Sequence, residues 1–135
     1  LHHHLLGVGA LEKGDSAGAV EHLEKAKSLL PGLYGRGYAD AHPIFLSPLG
    51  EAYFRSGEFE KARAAYEAVS RVTNDMFYCG DLWAKSFYWL GRIADEQGRK
   101  ADAAGYYDRF LEVWKNADAG IAEIADAIKR LAAIK

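Results

Sequence analysis

Between Ser86 and Trp114, large apolar side chains recur at steps of three and four residues on both sides of Gly98. This period places Phe87, Leu90, Gly91 and Ala94 on one face of a first helix, and Ala103, Tyr107 and Phe110 on one face of a second. Glycine adopts the left-handed conformation past a helix end at least cost, so Gly98 marks the turn. The same pattern occurs twice earlier. Gly91, Gly98 and Ala103 repeat the offsets of Gly7, Gly14 and Ala19, and of Gly50, Gly57 and Ala62. Around these markers the first unit carries His3, Leu6, Ala10, Leu23, Ala26 and Pro31; the second carries Leu46, Leu49, Tyr53, Tyr66 and Val69. After Trp114 the period breaks at 116–120, and a last helix is expected from about Asp118 to Ile134. Its stripe is Ile121, Ile124, Ile128 and Leu131, with Glu123, Asp126, Lys129 and Arg130 facing away.

An aromatic residue, then Leu-Gly, a small residue, and Ala-x3-aromatic in the second helix resemble the tetratricopeptide repeat (TPR), a helix-turn-helix unit. The resemblance covers nearly the whole chain. It implies an all-α, right-handed solenoid of three helical hairpins and a C-terminal capping helix, with 1–135 as a single TPR domain. The repeats fall at about 1–31, 40–74 and 81–116, and the capping helix at about 118–134. The ending, from Gly80 to Asp118, also resembles TPR segments of bacterial regulatory proteins, some with a serine/threonine kinase domain upstream.

The repeat glycines stand 43 and 41 residues apart, against a family period of about 34. Asp40 and Asp81 each stand ten residues before their glycine and would serve as N-caps, so the first helices of units two and three should start about a turn early. The connector Pro31 to Ala39 reads either as an ordered loop whose Tyr34 and Tyr38 pack back on the helices or as plain spacer. Pro48 falls inside the helix expected from about Pro43 to Ser56. It predicts a kink or a late restart, with Ser47 as N-cap and Pro48 in the first turn.

Composition changes this picture little. Half of the 135 residues are apolar and 27% charged, as in an ordinary globular domain. A net charge of −2 gives no general attraction to nucleic acid or anionic membranes. No apolar run approaches the roughly 20 residues of a membrane-spanning helix, and a cytoplasmic location is favoured. The start at Leu1, without a signal-peptide pattern, is expected for a piece of a longer protein. A lone Cys79 reads as a buried or half-buried thiol. Consecutive residues His2, His3 and His4 point about 100° apart on a helix and cannot all reach one ion, so no metal site and no cofactor are expected. Glu58 with Glu60, and Asp95 with Glu96, read as solvent-facing charge rather than acid-base pairs. The aromatics Trp83, Phe87, Tyr88, Trp89, Tyr106, Tyr107, Phe110 and Trp114 have the spacing of core more than of a base-stacking surface.

What the resemblance implies for function is a concave face lined by the first helix of each pair, which meets a peptide. Its outward positions are His4, Val8, Leu11 and Glu12, then Ser47, Glu51, Phe54 and Arg55, then Lys85, Tyr88, Arg92 and Asp95. Chaperone-binding members hold a terminal carboxylate there with lysine, asparagine and arginine; here His4, Val8, Ser47 and Glu51 replace the asparagines. We therefore expect a non-catalytic scaffold that recruits a protein or peptide, with Lys85 and Arg92 supplying positive charge and Phe54 and Tyr88 apolar contact. A homodimer through exposed aromatics, as an oligomerisation module of a larger regulatory protein, is the alternative. An inner face that is merely solvated is the plainest one.

Overall fold

The computed structural model describes residues 2–29, 42–71, 80–115 and 121–134. They form seven helices and no strand: α1 (His2–Glu12), α2 (Ser16–Leu29), α3 (Pro43–Arg55), α4 (Phe59–Ser70), α5 (Gly80–Glu96), α6 (Lys100–Trp114) and α7 (Ala122–Ile134). The connector with Tyr34 and Tyr38, and Pro31, Asp40, Cys79 and Asp118, lie outside the described residues. Helices pack in consecutive pairs, α1 on α2, α3 on α4 and α5 on α6. The pairs then stack through α2 on α3 and α4 on α5, and α7 closes the series on α6. This is the expected all-α solenoid of three hairpins and a cap.

Each hairpin is built from the same three small residues. Gly14, Gly57 and Gly98 have φ of +80°, +78° and +74°. Each ends its helix with the same pair of bonds: in the third unit, Gly98 N–H to the Asp95 carbonyl at 3.1 Å and Arg99 N–H to the Ala94 carbonyl at 2.9 Å. Gly7, Gly50 and Gly91 are where the paired helices meet. A Cβ there would stand 2.5 Å from Leu23 Cγ, 2.7 Å from Tyr66 Cε2 and 2.6 Å from Tyr107 Cε1. Ala19, Ala62 and Ala103 have no exposed surface.

Two apolar clusters form the core. One joins Leu23, Leu49, Tyr53, Tyr66, Leu90 and Ile93 across all three units; the other joins Tyr88, Tyr107, Phe110 and Ala127. Full burial of such side chains is worth about 1.5–3 kcal/mol each. Leu49 and Leu90 are buried against the unit before them, whereas Leu6 is 41% exposed because no described helix precedes α1. Most of the aromatics serve the core, as expected: Tyr88, Tyr107 and Phe110 are buried, and Phe87, Trp89, Tyr106 and Trp114 pack against them partly exposed. Trp89 packs edge-on to Phe54 at 5.3 Å and stacks on Tyr66 at 5.8 Å, and Trp83 Nε1 donates to the Ser70 carbonyl, joining α4 to α5.

Three local expectations need correction. Ser47 is not an N-cap: α3 begins at Pro43 and runs through Pro48, with His42 capping it by accepting the Ile44 N–H on Nδ1 at 3.2 Å. The N–H that Pro48 lacks would have served the carbonyl of Ile44, an exposed first-turn residue where water can substitute. Asp81 is no cap either, because Gly80 is already helical and Asp81 lies in the first turn of α5, where its charge still suits the helix dipole. The buried stripe of α7 is Ile124, Ala127, Leu131 and Ile134; Ile128 is 54% exposed.

Candidate functional site

The first helices α1, α3 and α5 lie side by side, α1 on α3 and α3 on α5. Helical periodicity therefore lines up one face of each along a common trough of about 670 Å³. From α1 come His4, Val8, Leu11 and Glu12; from α3, Ile44, Ser47, Pro48, Glu51 and Arg55. From α5 come Leu82, Lys85, Tyr88 and Trp89, and the far wall is Ala122, Glu123 and Asp126 of α7. Of the twelve outward positions, the trough gathers His4, Val8, Leu11, Glu12, Ser47, Glu51, Arg55, Lys85 and Tyr88, while Phe54, Arg92 and Asp95 do not line it.

Lining is not the same as being available. Leu11 and Tyr88 are buried, and Phe54 is half-buried between Phe59 and Trp89. Arg55 donates to Glu51 at 2.6 Å and to the Leu11 carbonyl at 3.3 Å, tying the end of α3 to the end of α1. His4 packs edge-on against Phe45 at 5.2 Å, and burial lowers its pKa, so it stands there as a neutral ring.

The positive charge expected of unit three is already engaged by α7. Lys85 Nζ lies 3.8 Å from Glu123 Oε1, and Arg92 Nη1 lies 3.7 Å from Asp126 Oδ2. The Tyr88 hydroxyl donates to Asp126 at 2.6 Å and accepts from Arg92 at 3.0 Å, while the Arg92 guanidinium covers the Phe54 ring at 5.1 Å. Arg130 Nε also donates to Asp126, at 2.7 Å, and its Nη1 lies 3.4 Å from Asp95. Burial alone would raise Asp126, but Tyr88, Arg130 and Arg92 outweigh it and hold the carboxyl below its ordinary range. For Tyr88, burial and donation to a carboxylate both push the phenol up.

Glu123, Asp126 and Arg130 thus face α5, where the sequence pattern pointed them to solvent. Asp95 is likewise covered, and Lys100 with Arg130 overcomes its burial and keeps it ionised. The α7 wall was missed because its partners lie more than thirty residues away. Asp126 and Arg130 at i,i+4, with Arg92 on the facing helix, were the only trace of it in the sequence.

Known proteins resemble the chain along most of its length. Models of the tetratricopeptide repeat match residues 85–117, and residues 1–25 and 43–68. Among curated relatives, the photosystem I assembly protein Ycf3 of Synechococcus sp. (strain WH7803) is 31% identical over 111 residues, covering 82% of this chain. That of strain CC9311 is 29% identical over 111 residues, again covering 82% of this chain. The chain spans 61% of the length of each of these relatives. A solved structure, the Sgt2 TPR domain of Aspergillus fumigatus, superposes with a TM-score of 0.67 at 22% identity, covering 95% of this chain and 71% of that one. Three hairpins in register, each with its close-contact glycine, turn glycine and buried alanine, agree with those matches: the chain belongs to the tetratricopeptide repeat family.

Proposed function

We propose that this chain is a non-catalytic scaffold that docks a segment of a partner protein in the trough on its concave face. The observation that carries the reading is the trough itself, floored by the first helices of all three units and walled by α7. Its floor stands on packed cores, so a partner would meet a surface already in place, without the cost of ordering one. The covered carboxylates argue against acid-base chemistry. Asp95 and Asp126 are held below their ordinary range, where a general acid would need to be raised. The curated relatives are named as assembly proteins, a role that a docking surface would serve.

The test is a photo-crosslinking amino acid placed at Ile44, exposed in the trough, or at exposed Ala64 on α4, with the protein expressed in its own cell. Docking predicts defined heterologous adducts from position 44 and few from position 64. Equal labelling from both positions would remove the trough as the binding surface. Adducts only to a second copy would establish the homodimer instead.

A further inference from the structure

We propose, resting on the docking reading above, that the trough selects a partner segment that carries a lysine or arginine about 12 Å from a bulky aliphatic or aromatic side chain. Its two ends differ in chemistry. α1 and α3 run in the same direction, because His4 meets Phe45 at their starts and Arg55 meets the Leu11 carbonyl at their ends. At the starting end, the neutral His4 ring and Ile44, 47% exposed, line the trough as an apolar seat. At the finishing end, Glu12 is exposed and has no ion-pair or hydrogen-bond partner among the described residues. It is the last residue of α1, beside the Leu11 carbonyl that already accepts from Arg55, and Lys13, which follows it, does not line the trough.

The other charges of the trough cancel. Arg55 is held by Glu51 at 2.6 Å, Lys85 faces Glu123 at 3.8 Å, and Asp126 is satisfied by Arg130 at 2.7 Å. Glu12 is left as the surplus. A cation beside it gains a partner at no expense to an existing pair, whereas an acidic segment meets an uncompensated carboxylate or must break one of those pairs. From the His4 edge of that seat to Glu12 is eight residues of α1 at 1.5 Å each, about 12 Å. An extended chain covers that in about four residues, so the fitting pattern is an apolar residue followed or preceded four places away by lysine or arginine.

The test titrates isotope-labelled protein by NMR with three end-blocked peptides, Leu-Ser-Gly-Ser-X, in which X is Lys, Gln or Glu. The expected order of affinity is Lys, then Gln, then Glu. Each step is about two- to five-fold, the range of one exposed ion pair, and it shrinks as salt rises. Amide shifts should fall on the faces of α1 and α3. Glu12→Lys, at an exposed position, should reverse the order without changing the spectrum of the unbound protein elsewhere, and Ile44→Ser should weaken all three probes alike. Equal affinity for Lys and Glu probes within the trough would overturn the preference and leave docking standing. Absence of binding by every probe at millimolar concentration would also overturn the preference, and the crosslinking at position 44 then decides docking separately. Shifts confined to the second helices would overturn both.

Discussion

Glycines that look alike in the sequence have opposite jobs at the residue scale. Gly91 lies where α5 meets α6, and a methyl group there would stand 2.6 Å from the ring of Tyr107, which is itself fully buried. The ring has nowhere to go, since Tyr88 and Phe110 pack beside it. Gly91→Ala should therefore cost about 1–3 kcal/mol, the usual penalty of overpacking. Gly105, in the interior of α6, is exposed, and its methyl would meet nothing within 4 Å. Gly105→Ala should stabilise by about 0.5–1 kcal/mol through helix propensity alone. Urea denaturation of the two variants checks both signs, and a stabilising Gly91→Ala would show that the close contact is wrongly placed. Position in the repeat distinguishes them beforehand: Gly91 has counterparts at 50 and 7, and Gly105 has none.

The helix α7 shows, at the scale of the element, how far a local pattern can be read. Two stripes with the same three, four, three spacing run along it: Ile121, Ile124, Ile128, Leu131 and Ile124, Ala127, Leu131, Ile134. Bulk favours the first, and the structure uses the second, because small Ala127 fits against the cluster around Phe110. Periodicity was enough for the hairpins, whose markers are close in sequence, and failed where the deciding neighbour lay on another unit. The polar edge of α7 has a checkable consequence. Asp126 and Asp95 are held below their ordinary carboxyl range in the folded state by Tyr88, Arg92, Arg130 and Lys100, against the opposing effect of burial. Their contribution is therefore complete above the unfolded carboxyl pKa, near 4, and is lost as pH falls through the lower folded values. The protection factors of α7 amides, taken against the intrinsic exchange rate at each pH, should fall on acidification below about pH 4, before those of the hairpins. Asp126→Asn at neutral pH should reproduce part of that loosening, at a cost of about 0.5–1 kcal/mol, because the pairs are partly exposed and the apolar stripe persists. An acid response of α7 unchanged by Asp126→Asn would assign that response to Asp95, and no acid response at all would assign its docking to the apolar stripe alone.

For the whole molecule, stacked hairpins mean that each unit depends chiefly on its neighbours, so stability need not be uniform along the chain. The third unit is covered on both sides, by α4 through α5 and by α7 through α6. The first is covered by described helices on one side only, and its outer surface presents Leu5 at 64% and Leu6 at 41% exposure. Leu49 and Leu90, which occupy the place of Leu6 in the later units, are each 3% exposed. Forgoing about two fifths of a leucine's burial leaves α1 short by roughly 0.6–1.2 kcal/mol relative to its counterparts. That deficit should appear as local opening, with native-state amide exchange in α1 about three- to eightfold faster than in α5. The gradient bears on the trough, because Glu12 and the apolar seat beside His4 both involve this least-covered helix. A ligand bridging α1 and α3 should slow exchange in α1 most, and that protection provides a second measure of occupancy. Uniform exchange from α1 to α5 in the unbound 135-residue chain would mean that the hairpins open together, and the array would then behave as one cooperative unit rather than as three coupled ones.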